Sequence, residues 1–333
     1  MGEIIFGKKE CSDNLTELPL SGFYDSNKLL KQGIWIYFWL LIFEGALRKW
    51  FLPGLATPLL VVRDPVAIFL ILSAWHKRIL LASPYLIGMV LIGLVGLHTA
   101  LLFGHGSFPV ALFGARILLI HFPVIFVIGK VFDKADVLKM GRTLLIVAIP
   151  MAFLIALQFY SPQEAWVNRG IGGEGSAGFS GALGYFRPPG TFSFTNGVSL
   201  FFGMVACLVF YFWLNPSYIN RFILLAASAS LLTAIPLSIS RSLLFQVGVI
   251  SIFAFLSIWG NAKHMGRMLA TGMGVLILIA VLSQTSFFQT SVAVFTHRFE
   301  NATELEGGME GVLLDRYLGG LVGALYGAGN LPF

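Results

Sequence analysis

The chain is dominated by apolar runs long enough to cross a lipid bilayer, and no other feature narrows its fold so far. Such windows fall at about residues 33–52, 55–75, 84–103, 108–130, 140–161, 195–214, 221–240, 242–260 and 268–287. A helix needs roughly 20 apolar residues to traverse a hydrocarbon core about 30 Å thick. Inside a bilayer the backbone finds no water, so a spanning segment must be a helix or part of a closed barrel, and these runs lack the alternation of barrel strands. Hydrophobic residues make up 57% of the chain and charged residues only 11%, which excludes a soluble globular domain. The expected fold is all-α: a polytopic transmembrane helical bundle of about nine spans with glycine-rich periplasmic loops.

The remaining sequence divides around these spans. Residues 1–32 are polar and mixed in charge, lack the apolar core and small-residue cleavage site of a signal peptide, and read as a cytoplasmic N-terminal segment. Residues 33–287 form the transmembrane domain, with a periplasmic loop at 162–194, and 288–333 read as the start of a larger periplasmic loop. Cys11 and Cys207 fall in unlike settings, which disfavours a disulfide or a thiolate metal site. The net charge of +6 reflects orientation rather than nucleic-acid binding. With the N-terminus in the cytoplasm, Lys77, Arg78, Lys130, Lys134, Lys139, Arg142, Arg221, Lys263 and Arg267 lie inside. Outside lie Arg48, Lys49, Arg169, Arg187, Arg241, Arg298 and Arg316, with Arg63 and Arg116 in the outer parts of spans. The outer charge is therefore almost entirely arginine, the side chain suited to two-pronged contact with phosphate. The competing reading is a set of long basic side chains reaching the interface from helix ends.

Charged residues inside spans need partners or a water-filled cavity. In FEGALRKW, Glu44 precedes Arg48 by four positions, which favours a local ion pair. Arg63 and Asp64 are adjacent and cannot face each other on a helix, so each is expected to pair with another segment, while Pro65 suits a first helical turn. Arg116 and His121 share a span five residues apart, and His98 lies in the preceding one. No clustered ligands of the kind zinc or iron requires are present, so no metal and no cofactor are expected. Motifs of soluble hydrolases and nucleotide-binding enzymes are also missing. Glu300, Glu304, Glu306 and Glu310 read as a solvated acidic loop.

Two outward stretches carry the candidate chemistry. In GYFRPPGTFSFTNG, Arg187 is followed by Pro188 and Pro189, which stiffen the approach, and by Gly190, which lets backbone come close to a ligand. Thr191, Ser193, Thr195 and Asn196 offer donors ahead of a helix whose free N–H groups and dipole favour an anion. The competing reading is a simple N-cap by Thr195 or Asn196. In SISRSLLF, Arg241 stands among Ser238, Ser240 and Ser242 at a second outward turn. Two arginines on one side would flank a pyrophosphate better than one.

Taken in order, FEGALRKWFLPG, VVRDP, RPPGTFSFTNG and SISRSLLF resemble the bacterial O-antigen ligase and polysaccharide polymerase family over most of the chain. That resemblance implies a multi-pass inner-membrane glycosyltransferase working at the periplasmic face on a glycan linked to undecaprenyl pyrophosphate. Its partners would be that donor, an acceptor glycan or lipid, and membrane lipids, with no nucleic acid and no nucleotide sugar at the site. Arg187 and Arg241 would hold the pyrophosphate and stabilise it as it departs, with Asn196 and Arg316 as further contacts. Family members carry a histidine motif late in a large periplasmic loop; His297 in THRFEN lies too early to match it. They also continue beyond the position of Phe333, so the sequence reads as C-terminally truncated. A transporter or flippase of a lipid-linked or anionic solute is the alternative, and an inactive envelope scaffold is a third reading.

Overall fold

A computed structural model describes residues 27–104, 106–173, 175, 178–260, 262–305 and 319–329. It is an almost wholly helical bundle. The helices are α1 (Lys28–Ala46), α2 (Asp64–His76), α3 (Pro84–Leu102), α4 (Phe108–Arg116), α5 (Phe122–Val131), α6 (Lys134–Tyr160), α7 (Thr195–Leu214), α8 (Arg221–Leu237), α9 (Arg241–Ile258), α10 (Ala262–Leu282), α11 (Ser286–Leu305) and α12 (Gly320–Gly329). A turn of π-helix, Leu47–Phe51, extends α1, and a second, Ile117–His121, joins α4 to α5.

Among the described residues, seven segments are long and apolar enough to cross a membrane: Pro58–His76, Pro84–Leu102, Phe108–Val131, Lys134–Tyr160, Thr195–Leu214, Arg241–Ile258 and His264–Leu282. These match seven of the nine expected windows. The other two windows are helical but do not meet the same measure. The one at 33–52 is a helix that starts earlier, at Lys28, inside the segment expected to be a polar tail. The one at 221–240 is α8, an apolar helix of 17 residues that ends just past Pro236, where Ile239 turns to positive φ.

Two cores hold the bundle. The larger joins α1, α6, α7, α8 and α9 through side chains such as Ile42, Leu145, Ile155, Phe202, Phe212 and Leu224. The smaller joins α1, α2 and α5 through Leu30, Ile34, Leu70, Val124 and Val127. Helix α1 serves both. In lipid, helices associate by close packing rather than by leaving water, and small residues allow the approach. At Gly203 a Cβ would lie 2.1 Å from Oε1 of Gln246 on α9, and at Gly33 one would lie 2.9 Å from Leu70 on α2. Outward faces of α3, α9 and α10 remain apolar and exposed, as lipid-facing surfaces should.

The segment between α6 and α7 contains an antiparallel hairpin, β1 (Ser180–Ala182) and β2 (Tyr185–Phe186). Leu183 and Gly184 both take positive φ, the combination of a type I′ turn. Sequence reading had no place for this strand pair. The stretch after α10 also differs from expectation. The chain breaks at Ser283–Thr285 and then forms α11, so Glu300 and Glu304 stand on a helix rather than in an acidic loop. Residues 1–26 and 306–318, with Cys11, Glu306, Glu310 and Arg316, lie outside the described residues.

Candidate functional site

The loop between α6 and α7 docks on the end of α1, and two adjacent basic residues make the joint. The π turn after α1 lets Arg48 and Lys49 both turn inward, so both are buried rather than reaching outward from a helix end as the sequence suggested. Lys49 Nζ donates to the carbonyls of Gly190 at 2.6 Å and Phe192 at 2.9 Å, and it packs 4.6 Å from the centroid of Trp50. Arg48 Nη1 donates to Ser193 Oγ at 3.0 Å, and Arg48 O accepts from the Gly172 N–H. Gln158 grips both sides of Gly190, accepting its N–H through Oε1 at 2.8 Å and donating to its carbonyl through Nε2 at 3.3 Å. Asn168 donates to the carbonyls of Gln158, Ser161 and Pro162, closing the end of α6. Helix ends leave carbonyls without partners, and this amide satisfies them.

These contacts change the reading of RPPGTFSFTNG. Gly190 has φ +58 and sits against Met151, Val198 and Ile155, so its missing side chain serves packing and a left-handed turn rather than the approach of a ligand. The Thr191 hydroxyl is spent on the carbonyl of Ile42, and Ser193 is engaged by Arg48. Neither Thr195 nor Asn196 caps α7: the capping position is Phe194, which makes no side-chain cap bond. Thr195 is buried, and Asn196 stands exposed at the second residue of the helix.

Arg187 follows β2 and is partly buried; its N–H extends the hairpin by bonding Phe179 O at 2.9 Å. Arg241 is the first residue of α9 and is also partly buried. The turn before it is held in three ways. Ser240 Oγ accepts from the Leu243 N–H and caps α9, and the same oxygen lies 2.7 Å from Ser199 Oγ near the start of α7. Ile239 is buried at φ +48, a left-handed conformation that β-branched residues rarely adopt and that costs roughly 1–3 kcal/mol. Its side chain faces the hairpin, where a Cβ at Gly181 would come within 2.8 Å of Ile239 Cδ1. Arg298 of α11 then donates to Gly181 O at 2.8 Å. The hairpin bearing Arg187, the start of α7 bearing Asn196, the start of α9 bearing Arg241, and α11 thus meet at one end of the bundle. Arg298, which sequence reading left without a role, is part of that assembly.

Below the loop lies a buried ionic network. Arg63 Nε meets Glu44 Oε2 at 2.7 Å, whereas the expected local partner, Arg48, is 3.5 Å from Glu44 Oε1. Arg48 Nε also donates to Ala56 O. Arg116 Nη1 donates to both oxygens of Asp64, at 2.9 and 3.1 Å, and to Leu60 O. His121 Nε2 is 3.1 Å from Asp64 Oδ1, near enough for attraction but poorly angled for a hydrogen bond, and His121 Nδ1 lies 2.9 Å from the Tyr37 hydroxyl. As the sequence implied, Arg63 and Asp64 part to different helices. Arg116 and His121 reach one carboxylate because the π turn between them has more residues per turn than an α-helix.

Two apolar cavities, about 740 and 820 Å³, share Ala226 and Ala229 and form a trough along α8. One end is lined by Arg221, Arg267 and Trp213. The other is lined by Tyr160, Leu237, Thr285, Phe287 and Ser291, at the loop end, where the Tyr160 hydroxyl donates to Phe287 O. Among the described residues, no group of three or more His, Cys, Asp or Glu side chains is placed to hold a metal ion.

Comparison of the chain with family models, curated proteins and solved structures gives no match. Fold and composition together define a multi-pass helical membrane protein with an arginine-bearing loop end.

Proposed function

We propose that the chain is a membrane glycosyltransferase of the O-antigen ligase or polysaccharide polymerase type, in a bacterial inner membrane with its N-terminus cytoplasmic. One observation carries the reading: the elements bearing Arg187 and Arg241 converge at the end of the bundle where an apolar trough also terminates. A lipid-linked donor has matching parts, a diphosphate for the arginines and a long hydrocarbon chain for the trough.

In the proposed reaction an acceptor hydroxyl oxygen attacks the anomeric carbon of the donor glycan. The bond from that carbon to the pyrophosphate oxygen breaks, and its electron pair leaves with the pyrophosphate. The acceptor proton passes to a base or to solvent. Arg187 and Arg241 act on the leaving side, where fixed positive charge stabilises the developing anion more than it stabilises the bound donor. Asn196, exposed on the first turn of α7, adds a donor beside the positive end of that helix. Arg316 is proposed as a further contact.

The test is polysaccharide transfer by a full-length protein carrying Arg187→Ala or Arg241→Ala, read as a gel ladder. Loss of laddering with normal membrane insertion is expected. An unchanged ladder removes both residues from the mechanism. Movement of lipid-linked glycan into proteoliposomes without a new glycosidic bond would favour a flippase instead.

A further inference from the structure

We propose that the arginine cluster at the head of α2 is a phosphate-binding site, separate from Arg187 and Arg241, that takes a phospholipid headgroup or a free phosphate. It goes beyond the transfer reaction proposed above and does not depend on it.

Charge and burial carry the argument. Arg48, Arg63 and Arg116 come from three different elements, and their side chains are 7%, 20% and 11% exposed. Among the described residues they face two carboxylates, Glu44 and Asp64, which leaves one positive charge in excess. An uncompensated ion in a low-dielectric interior costs several kcal/mol. The carbonyls of Ala56 and Leu60 supply dipoles but no charge. Arg116 Nε is sealed from solvent without a hydrogen-bond partner, so the cluster holds an unused buried donor as well. A phosphate would supply both the missing negative charge and acceptor oxygens, in the planar two-pronged geometry that guanidinium groups favour.

Position supplies the route. Arg63, the most open of the three, immediately precedes α2 beneath the irregular stretch from Pro53 to Val61. That stretch and its flank expose Leu52, Leu55 and Val61. An apolar rim beside a buried basic cluster suits a lipid whose acidic headgroup reaches between helices. Arg48 links the same cluster to Ser193, so occupancy would be felt in the loop that follows Arg187.

A purely structural ion network predicts that removing either sign of charge weakens the fold and does nothing else. A phosphate site predicts opposite effects on binding. The purified full chain in detergent is compared by native mass spectrometry with phosphatidylglycerol and phosphatidylcholine, and by thermal unfolding with inorganic phosphate. Wild type should retain phosphatidylglycerol over phosphatidylcholine. Arg63→Gln should weaken that retention by roughly tenfold, and Glu44→Gln should strengthen it by a similar factor, as expected for adding or removing one nearby charge. Arg63→Lys, which keeps the charge and loses the fork, should fall between. If Glu44→Gln does not fold, Asp64→Asn makes the same test by releasing Arg116. Arg142→Gln, which removes an exposed arginine near the start of α6, should leave retention unchanged, which separates this site from a general loss of positive charge.

Retention of phosphatidylglycerol with no thermal shift from inorganic phosphate identifies a lipid headgroup. A saturable thermal shift with phosphate, abolished by Arg63→Gln, identifies the free anion. Equal retention of both lipids with no phosphate shift overturns the proposal. So do changes of the same sign in Glu44→Gln and Arg63→Gln.

Discussion

Ser199 near the start of α7 and Ser240 at the cap of α9 share a 2.7 Å contact between hydroxyl oxygens, buried beneath the turn that presents Arg241. Ser240 serves two purposes at once, because its oxygen also accepts from the Leu243 N–H. Ser240→Ala removes both bonds. Loss of a helix cap costs about 1 kcal/mol and loss of a buried hydroxyl partner a similar amount. The expected outcome is a lower thermal midpoint in detergent and, under the proposed function, reduced transfer, since Arg241 is the next residue. Ser199→Ala leaves the cap intact and should cost about half as much.

Gly45 tests the docking of the loop on α1. A Cβ there would lie 2.4 Å from the backbone of Phe192 and Ser193, and backbone cannot turn aside as a flexible side chain can. Gly45→Ala should therefore displace the loop and destabilise the protein by about 1–3 kcal/mol, the usual range for overpacking. Gly54→Ala is the control, because nothing lies within 4 Å of the position its new methyl group would take. Comparable thermal midpoints for the two variants would refute the close contact.

Much of the bundle is legible in the sequence because lipid admits so few backbone solutions: an apolar run of sufficient length has to be a helix. The separate fates of Arg63 and Asp64 follow as simply, since neighbouring residues on a helix diverge. What stayed hidden turns on departures from regular geometry. Arg116 and His121 converge only through a π turn, which a 3.6-residue period does not reveal. The hairpin before Arg187 turns on Leu183 rather than the usual Asn or Gly, so its strongest local signal is missing. Lys49 carries the same letter whether it snorkels from a helix end or is drawn inward by two carbonyls, and only the docked loop decides between them.

The start of α6 offers a pH-dependent measurement away from the lipid. Asp133 caps this helix in a reciprocal box with Asp136, and Lys31 lies 2.8 Å from Asp136 and 3.6 Å from Asp133. The Asp136 N–H first, and Lys31 after it, hold the Asp133 carboxyl below its ordinary value of 3.8. A carboxylate with a lowered folded-state value contributes stability that is present above the unfolded value and lost as pH falls through the folded one. Wild type should therefore lose its advantage over Asp133→Asn as pH is lowered below about 4. Hydrogen exchange of the Ala135–Leu138 amides should show the gap at neutral pH and its closure in acid.

Lys49 gives the sharpest measurement of how the loop is held. Its side chain is buried, and it donates to the carbonyls of Gly190 and Phe192. Lys49→Met keeps the length and apolar stem but leaves the Phe192 carbonyl without its lysine partner, while Gly190 O retains Gln158. A buried acceptor stripped of its partner costs about 1–3 kcal/mol. The helices should survive, because the lysine contributes to the joint and not to either core. The loop should loosen instead: limited proteolysis should cut between residues 162 and 194 faster in Lys49→Met than in wild type, while the circular dichroism of the bundle stays the same. Gln158→Leu, which frees Gly190 from the other side, should raise cleavage in the same segment. Unchanged cleavage in both variants would show that the loop is held without these two side chains, by its packing on α1 and by the Arg48 and Thr191 bonds.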